Sequence, residues 1–183
     1  MKPNILPIIE GKRIYLRAVE EADANAEYIA WLSDSEVNKY METRFERHTL
    51  SSLQDYIQKA KSDPGSLFFM IVRADTQKPI GTIKLGSLYW QHRFGTISLM
   101  LGDRESWGKG FGTEAIKLLT KYAFSDLGLH KIIAGIYRSN IASIKAFEKA
   151  GFKEEAVQQK QYWYDGRYID QVLYVNFNEE KDE

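Results

Sequence analysis

Polar and apolar side chains alternate along RIYLRA, residues 13–18, which predicts a strand; residues 20–32 then run without Pro or Gly and predict a helix. Thr49 precedes a helical pattern over residues 50–61, and Pro64-Gly65 lies beyond its end, an N-cap and a stop signal in the expected places. Strands follow. Residues 67–74 and 79–90 flank the turn signal Asp75-Thr76-Gln77-Lys78, and residues 95–102 come after the polar Gln91-His92-Arg93. From Gly110 the period becomes helical: Ala115, Ile116, Leu119, Tyr122 and Ala123 form one stripe, and Gly128 ends it. The run KIIAGIY, residues 131–137, is apolar enough for a central strand. A short helix carrying Ile141, Ile144 and Phe147 then stops at Gly151. Last comes a hairpin, in which Tyr162-Trp163-Tyr164 and Tyr168-Ile169 flank Asp165-Gly166, a pair favoured in type I′ turns. The sum is an α+β chain, a mostly antiparallel sheet with helices on its faces.

The chain has 183 residues, and without a repeat or a Pro/Gly-rich linker it reads as one domain over residues 1–183. Apolar residues make up 44%, enough for a folded core. Lys and Arg number 25, as do Asp and Glu, so no net field draws the chain onto nucleic acid or an acidic membrane. There is no cysteine, which removes disulfides, thiolate metal sites and a covalent thiol intermediate. The apolar stretch near the N-terminus is broken by Pro7 and too short for a signal peptide, no run reaches membrane-spanning length, and a cytoplasmic protein is expected. His48, His92 and His130 lack the spacing of a helical metal pair, so no metal site is expected.

The segment GTISLMLGDRESWGKGFGTEA joins a strand, a short polar link, three alternating glycines and the start of an amphipathic helix. Glycines let the backbone approach a ligand closely, and the helix N-terminus favours negative charge, so this is either an anion site or a glycine-rich turn that only caps the helix. It is neither a Walker loop, because Lys109 precedes Gly110, nor a dinucleotide fingerprint, because Gly108, Gly110 and Gly112 give GxGxG.

That segment, followed by HKIIAGIYRSNIASIKAFEKAGF, resembles the acetyl-coenzyme-A binding half of the GNAT N-acetyltransferases, in particular the RimJ/RimL-like branch. The resemblance implies a mixed sheet splayed at the acetyl-CoA site, with acetyl-CoA as cosubstrate. It places the pyrophosphate on the backbone of Trp107, Gly108, Lys109, Gly110, Phe111, Gly112 and Thr113, although Trp107 stands where Arg or Gln is usual. It places the pantetheine arm along Leu99, Met100 and Leu101 as an added strand, with Asn140 touching that arm. Phe147 occupies the position of a tyrosine that protonates the leaving thiolate in many members, and Phe147 has no proton to give. Ser143 matches a serine implicated in the RimL-like branch. Its hydroxyl either serves as the acid or bonds back to its own helix.

No glutamate stands where related enzymes carry a base on the coenzyme strand, and His92, beside Trp90 at the strand junction, is the candidate base. Asp34, Glu36, Glu42 and Glu46 either flank the acceptor or form a solvated surface. Neutralising a lysine-like amine at pH 7 costs about 4.6 kcal/mol and an α-amine about 1.4, so a site without a strong base suits a low-pKa amine. The expected acceptor is therefore a small primary amine, a nucleotide-linked amino sugar first, with protein N-termini and polyamines as alternatives; a module that binds acetyl-CoA without catalysis, which Phe147 permits, is the competing class. Tyr40, Glu42, Trp90 and Tyr164 are expected to line its pocket, with the aromatic hairpin also available for a homodimer interface.

Overall fold

The computed structural model describes residues 2–3 and 5–179. Its strands are β1 (Ile9–Glu10), β2 (Ile14–Ala18), β3 (Leu67–Arg73), β4 (Pro79–Tyr89), β5 (Phe94–Leu101), β6 (Lys131–Tyr137), β7 (Lys153–Tyr164) and β8 (Arg167–Phe177). They form one sheet in the order β1-β2-β3-β4-β5-β6-β8-β7, antiparallel at every pair except β5 with β6. The helices are α1 (Ala26–Ser33), α2 (Ser35–Asn38), α3 (Leu50–Ser62), α4 (Phe111–Ser125) and α5 (Ile141–Lys149). This is the expected α+β arrangement.

The unbroken apolarity of β3 comes from its place in the middle layer. Leu67, Phe69 and Ile71 pack with Ala115, Ile116 and Leu119 of α4, whereas Phe68, Met70 and Val72 pack with Trp31 of α1 and Leu53 and Ile57 of α3. Successive strand residues point to opposite faces, so a strand covered on both sides loses its alternation. Each such side chain contributes about 1.5–3 kcal/mol by leaving water.

Three local features depart from the sequence pattern. The helix expected over residues 20–32 is a 3-10 turn, Glu21–Asp23, followed by α1. Asp23 takes both Arg17 guanidinium nitrogens at 2.6 and 2.7 Å and the Glu20 N–H at 2.8 Å, and Asn25 accepts the Tyr28 N–H at 3.0 Å as a new N-cap. The hairpin is longer than expected, since β7 begins at Lys153 with side chains exposed on both faces. Its turn is type I′, with Asp165 at φ 50° and Gly166 at φ 75°. The two-residue β1 pairs with β2 and had no periodic signal at all.

The single parallel junction shapes the centre of the sheet. β5 and β6 pair only at Phe94↔Lys131, Gly95↔Ile132 and Thr96↔Ile133. Beyond that point β5 stays with β4 to Leu101, and β6 stays with β8 to Tyr137. A V-shaped notch opens between them.

The β4 side of that notch tolerates no added bulk at Gly81, where a β-carbon would overlap the Met100 carbonyl oxygen and crowd the Leu101 Cα, both backbone atoms. Gly81→Ala is expected to lose about 1–3 kcal/mol in urea denaturation. Gly86→Ala, whose nearest neighbour is a flexible Lys84 Cε at 3.6 Å, is expected to stay within about 0.5 kcal/mol of the parent.

Candidate active site

The direction of each backbone group along the notch is set by the ladders. The Gly102 N–H donates to the Ile80 carbonyl at 3.0 Å, and the register continues through Thr82↔Met100 and Lys84↔Ser98. By the alternation of an antiparallel pair, Met100 and Ser98 turn their backbone groups toward β4, and Leu99 and Leu101 turn theirs into the notch. On the other wall the Arg138 N–H donates to the Asp170 carbonyl at 3.0 Å. Ile136↔Val172 therefore faces β8, and Gly135 and Tyr137 face the notch. Of the three residues expected to pair with a coenzyme arm, Leu99 and Leu101 have the required orientation. Met100 does not, because its N–H and C=O belong to the β4 ladder.

At the mouth of the notch lies the glycine loop. Trp107 donates its indole N–H to the Leu101 carbonyl at 2.9 Å, which ties the loop to the strand end. Gly108 at φ 71° and Gly110 at φ 83° are left-handed, a conformation glycine adopts without strain. Gly110 is the N-cap of α4 and supplies no side-chain cap, so the first N–H groups of that helix remain without an internal partner. A β-carbon at Gly112 would press on Leu99 Cδ2 at 3.2 Å. Free donors, a helix N-terminus and a surface without side chains fit a pyrophosphate.

Arg13 braces this loop from behind. Its backbone N–H and its Nε each donate to the Glu114 carboxylate at 2.8 Å, and its Nη1 donates to the Lys109 carbonyl at 2.8 Å. Its guanidinium also lies 4.9 Å from the centre of the Phe111 ring. Partial burial opposes ionisation of Glu114, but the Arg13 N–H and guanidinium outweigh it and hold the carboxyl below its ordinary value. Phe111 and Lys109 thus present backbone to the loop while the Phe111 ring is buried in the core.

Two cavities meet at the notch. One, of about 590 Å³, is lined by Trp107, Gly108, Gly110, Gly112 and Thr113 and by the first residues of α5. The other, of about 460 Å³, lies toward α1 and α3. Tyr40, Met41, Leu99, Met100, Asn140 and Ser143 line both. The Asn140 Oδ1 caps α5 by accepting the Ser143 N–H at 3.2 Å. Among the described residues the Ser143 hydroxyl has no hydrogen bond, and the back-bond to its own helix does not form. Phe147 borders the second cavity and packs edge-on against Phe152 at 5.1 Å.

Acidic, basic and phenolic groups gather on the wall of the second cavity. Tyr137 donates its hydroxyl to Glu42 and accepts from Arg44 Nη1 at 2.8 Å, and the Arg44 Nη2 donates to the Trp163 carbonyl at 3.0 Å. Burial, followed by the bond to Glu42, pushes the Tyr137 hydroxyl up to about 12. Its ring stacks on Tyr162 at 3.9 Å, and Tyr40 stacks on Tyr164 at 5.2 Å. Tyr164 therefore supports the wall through Tyr40 without lining the cavity itself.

His92 and Trp90 are placed elsewhere. Both lie at the turn between β4 and β5, which is the paired end of β5, whereas the notch opens at the other end. Trp90 donates its indole N–H to the Pro64 carbonyl at 3.1 Å, and His92 is exposed beside Phe94, and neither lines either of the two cavities at the notch. The histidine that does is His48, whose Nε2–H donates to the Thr43 carbonyl at 3.0 Å. Tyr137, Arg44 and Lys84 were also absent from the expected site. Tyr137 closes an apolar strand run, and only the splay of that strand exposes its hydroxyl to chemistry.

Residues 13–153 match the family described as the acetyltransferase (GNAT) domain. Over 181 residues the chain is 30% identical to the probable N-acetyltransferase YjcK of Bacillus subtilis, covering 92% of this chain and 96% of that protein. It is 27% identical to a spermidine N(1)-acetyltransferase of Vibrio cholerae, covering 87% and 90%. The crystal structure of spermidine N-acetyltransferase from Vibrio cholerae in complex with CoA and spermine has the same fold, with a TM-score of 0.80 at 24% identity over 91% of this chain and 96% of that one.

The brace and the loop can be tested together. Gly110→Val, which forces a β-branched residue to positive φ, is expected to abolish coenzyme A binding in calorimetry. Arg13→Gln, which keeps the fold but loses the fork on Glu114, is expected to weaken it about tenfold, or about 1.4 kcal/mol.

Proposed function

Since the chain belongs to the acetyltransferase (GNAT) family and its activity is N-acetyl transfer from acetyl-CoA, we propose that its acceptor is the primary amine of a small molecule, an amino sugar first, in a nucleotide-linked form. One observation carries the reading: a notch of unpaired strand backbone stands between two cavities that share Leu99 and Ser143. A donor on one side and an acceptor on the other would meet there in a ternary complex. With no cysteine to take the acetyl group, transfer is direct.

Acetyl-CoA supplies an activated acetyl thioester. The backbone of residues 107–113 receives the pyrophosphate, and the notch-facing groups of Leu99 and the Leu101 N–H pair with the pantetheine arm, as in strand addition. The Asn140 side-chain amide adds a contact to that arm. The unbonded Ser143 hydroxyl, at the cavity junction, would deliver a proton to the departing thiolate. Glu42, already accepting from Tyr137, is the carboxylate nearest in role to a base, in place of His92. The stacked tyrosines of the second cavity suit a sugar ring.

We read residues 1–183 as one acetyltransferase domain of the RimJ/RimL-like branch, cytoplasmic and homodimeric. Among the described residues no helix is long and apolar enough to cross a membrane, and no group of side chains could hold a metal ion. The relative named as a spermidine N(1)-acetyltransferase supports a polyamine acceptor as a second reading.

Ser143→Ala is expected to lower kcat about 100-fold with coenzyme A affinity unchanged, and Phe147→Tyr to restore part of the loss. Thiol-release kinetics and calorimetry measure the two. Mass spectrometry of products from acetyl-CoA and a mixture of nucleotide amino sugars, amino acids, N-terminal peptides and polyamines identifies the acceptor. A peptide or spermidine as sole product would contradict the amino-sugar reading.

A further inference from the structure

Lys84 lies on β4 directly opposite Ser98 of β5, one strand spacing of about 4.8 Å from the strand that forms the notch. Directly opposed residues share a face, so both side chains look into the second cavity, which they line together with Tyr56 of α3. Lys84 as a residue is half-buried there, and its ammonium, on the open side of the cavity, donates to the exposed Tyr56 hydroxyl at 2.9 Å, with the Tyr56 ring 5.2 Å away. Among the described residues no carboxylate lies within 4.0 Å of it. The other charged groups on this cavity are Glu42, which is occupied by Tyr137 and faces Arg44 at 3.8 Å, and the exposed Glu46. Lys84 is therefore a cation in the acceptor cavity with no carboxylate at ion-pair distance, and the Tyr56 and Ser98 hydroxyls line the same cavity beside it.

We infer that the acceptor carries an oxyanion, phosphate or carboxylate, in addition to its amine, and that Lys84 with Tyr56 and Ser98 binds it. This deepens the small-amine reading above and rests on it. A charge-assisted hydrogen bond to this ammonium favours the anionic acceptor, and the same ammonium repels the second positive charge of a polyamine. The oxyanion sits beside the strand that presents the acetyl group, so one small molecule spans both. Lys84 selects between acceptors and takes no part in the transfer itself.

The test compares matched acceptors by thiol release: glucosamine against glucosamine 6-phosphate for phosphate, alaninamide against alanine for carboxylate, and spermidine as the polycation. The parent enzyme is expected to prefer one anionic member over its uncharged partner by about tenfold or more in kcat/KM. Lys84→Met is expected to bring that ratio close to one, Lys84→Arg to retain most of it, and Lys84→Glu to shift preference to spermidine, all with coenzyme A affinity at the parent value in calorimetry. Which pair shows the preference tells phosphate from carboxylate. Equal turnover within both pairs, preference for spermidine by the parent, or an anionic preference that survives in Lys84→Met would overturn this inference while leaving acetyl transfer intact. Coenzyme A binding without transfer to any acceptor would overturn the small-amine reading and this inference with it.

Discussion

The site depends on one interrupted hydrogen-bond ladder. β5 and β6 are joined by three parallel residue pairs and then separate, because each keeps a full antiparallel ladder with its other neighbour. A buried backbone group left without a partner costs about 1–3 kcal/mol, and the notch lowers that cost by opening onto cavities that admit water. A ligand with amide groups along an extended arm can replace that water. The cavities, the shared wall and the position of Ser143 are all set by where the ladder ends.

What holds the notch open lies on both faces of the sheet. On one, α4 follows its N-cap Gly110 with its first N–H groups free, and Arg13, just before β2, joins Glu114, Lys109 and Phe111 into a brace behind the loop. On the other, the chain between α1 and α3 carries Tyr40, Glu42, Arg44 and His48 across the notch, and the tip of the β7-β8 hairpin meets it through Arg44 and the Trp163 carbonyl. One face therefore presents backbone donors suited to phosphate. The opposite face presents side chains of mixed charge suited to choosing an acceptor.

The core strands were legible because their apolar runs reflect burial on both faces, and the glycine loop ahead of α4 because alternating glycines before an amphipathic helix mark a tight turn into it. The type I′ turn at Asp165-Gly166 was legible for the same kind of reason. β7 was not, because a strand exposed on both faces carries no hydrophobic period, and its pairing with β8 is the only thing that defines it. The acceptor side was read least well. His92 and His48 look alike in sequence, and what separates them is which end of β5 is open. Tyr137 resembled core until the splay put its hydroxyl between Glu42 and Arg44. Such residues are set by tertiary geometry, which a local pattern does not carry.

Amide hydrogen exchange, resolved residue by residue by NMR with and without coenzyme A, tests the role of the notch most directly. The Leu99 and Leu101 N–H groups face the notch and should exchange at least about tenfold more slowly when the coenzyme is bound, while those of Ser98 and Met100, already bonded to β4, should change little. Coenzyme A binding with no added protection at Leu99 and Leu101 would contradict the account, since the arm would then lie somewhere other than along the open strand.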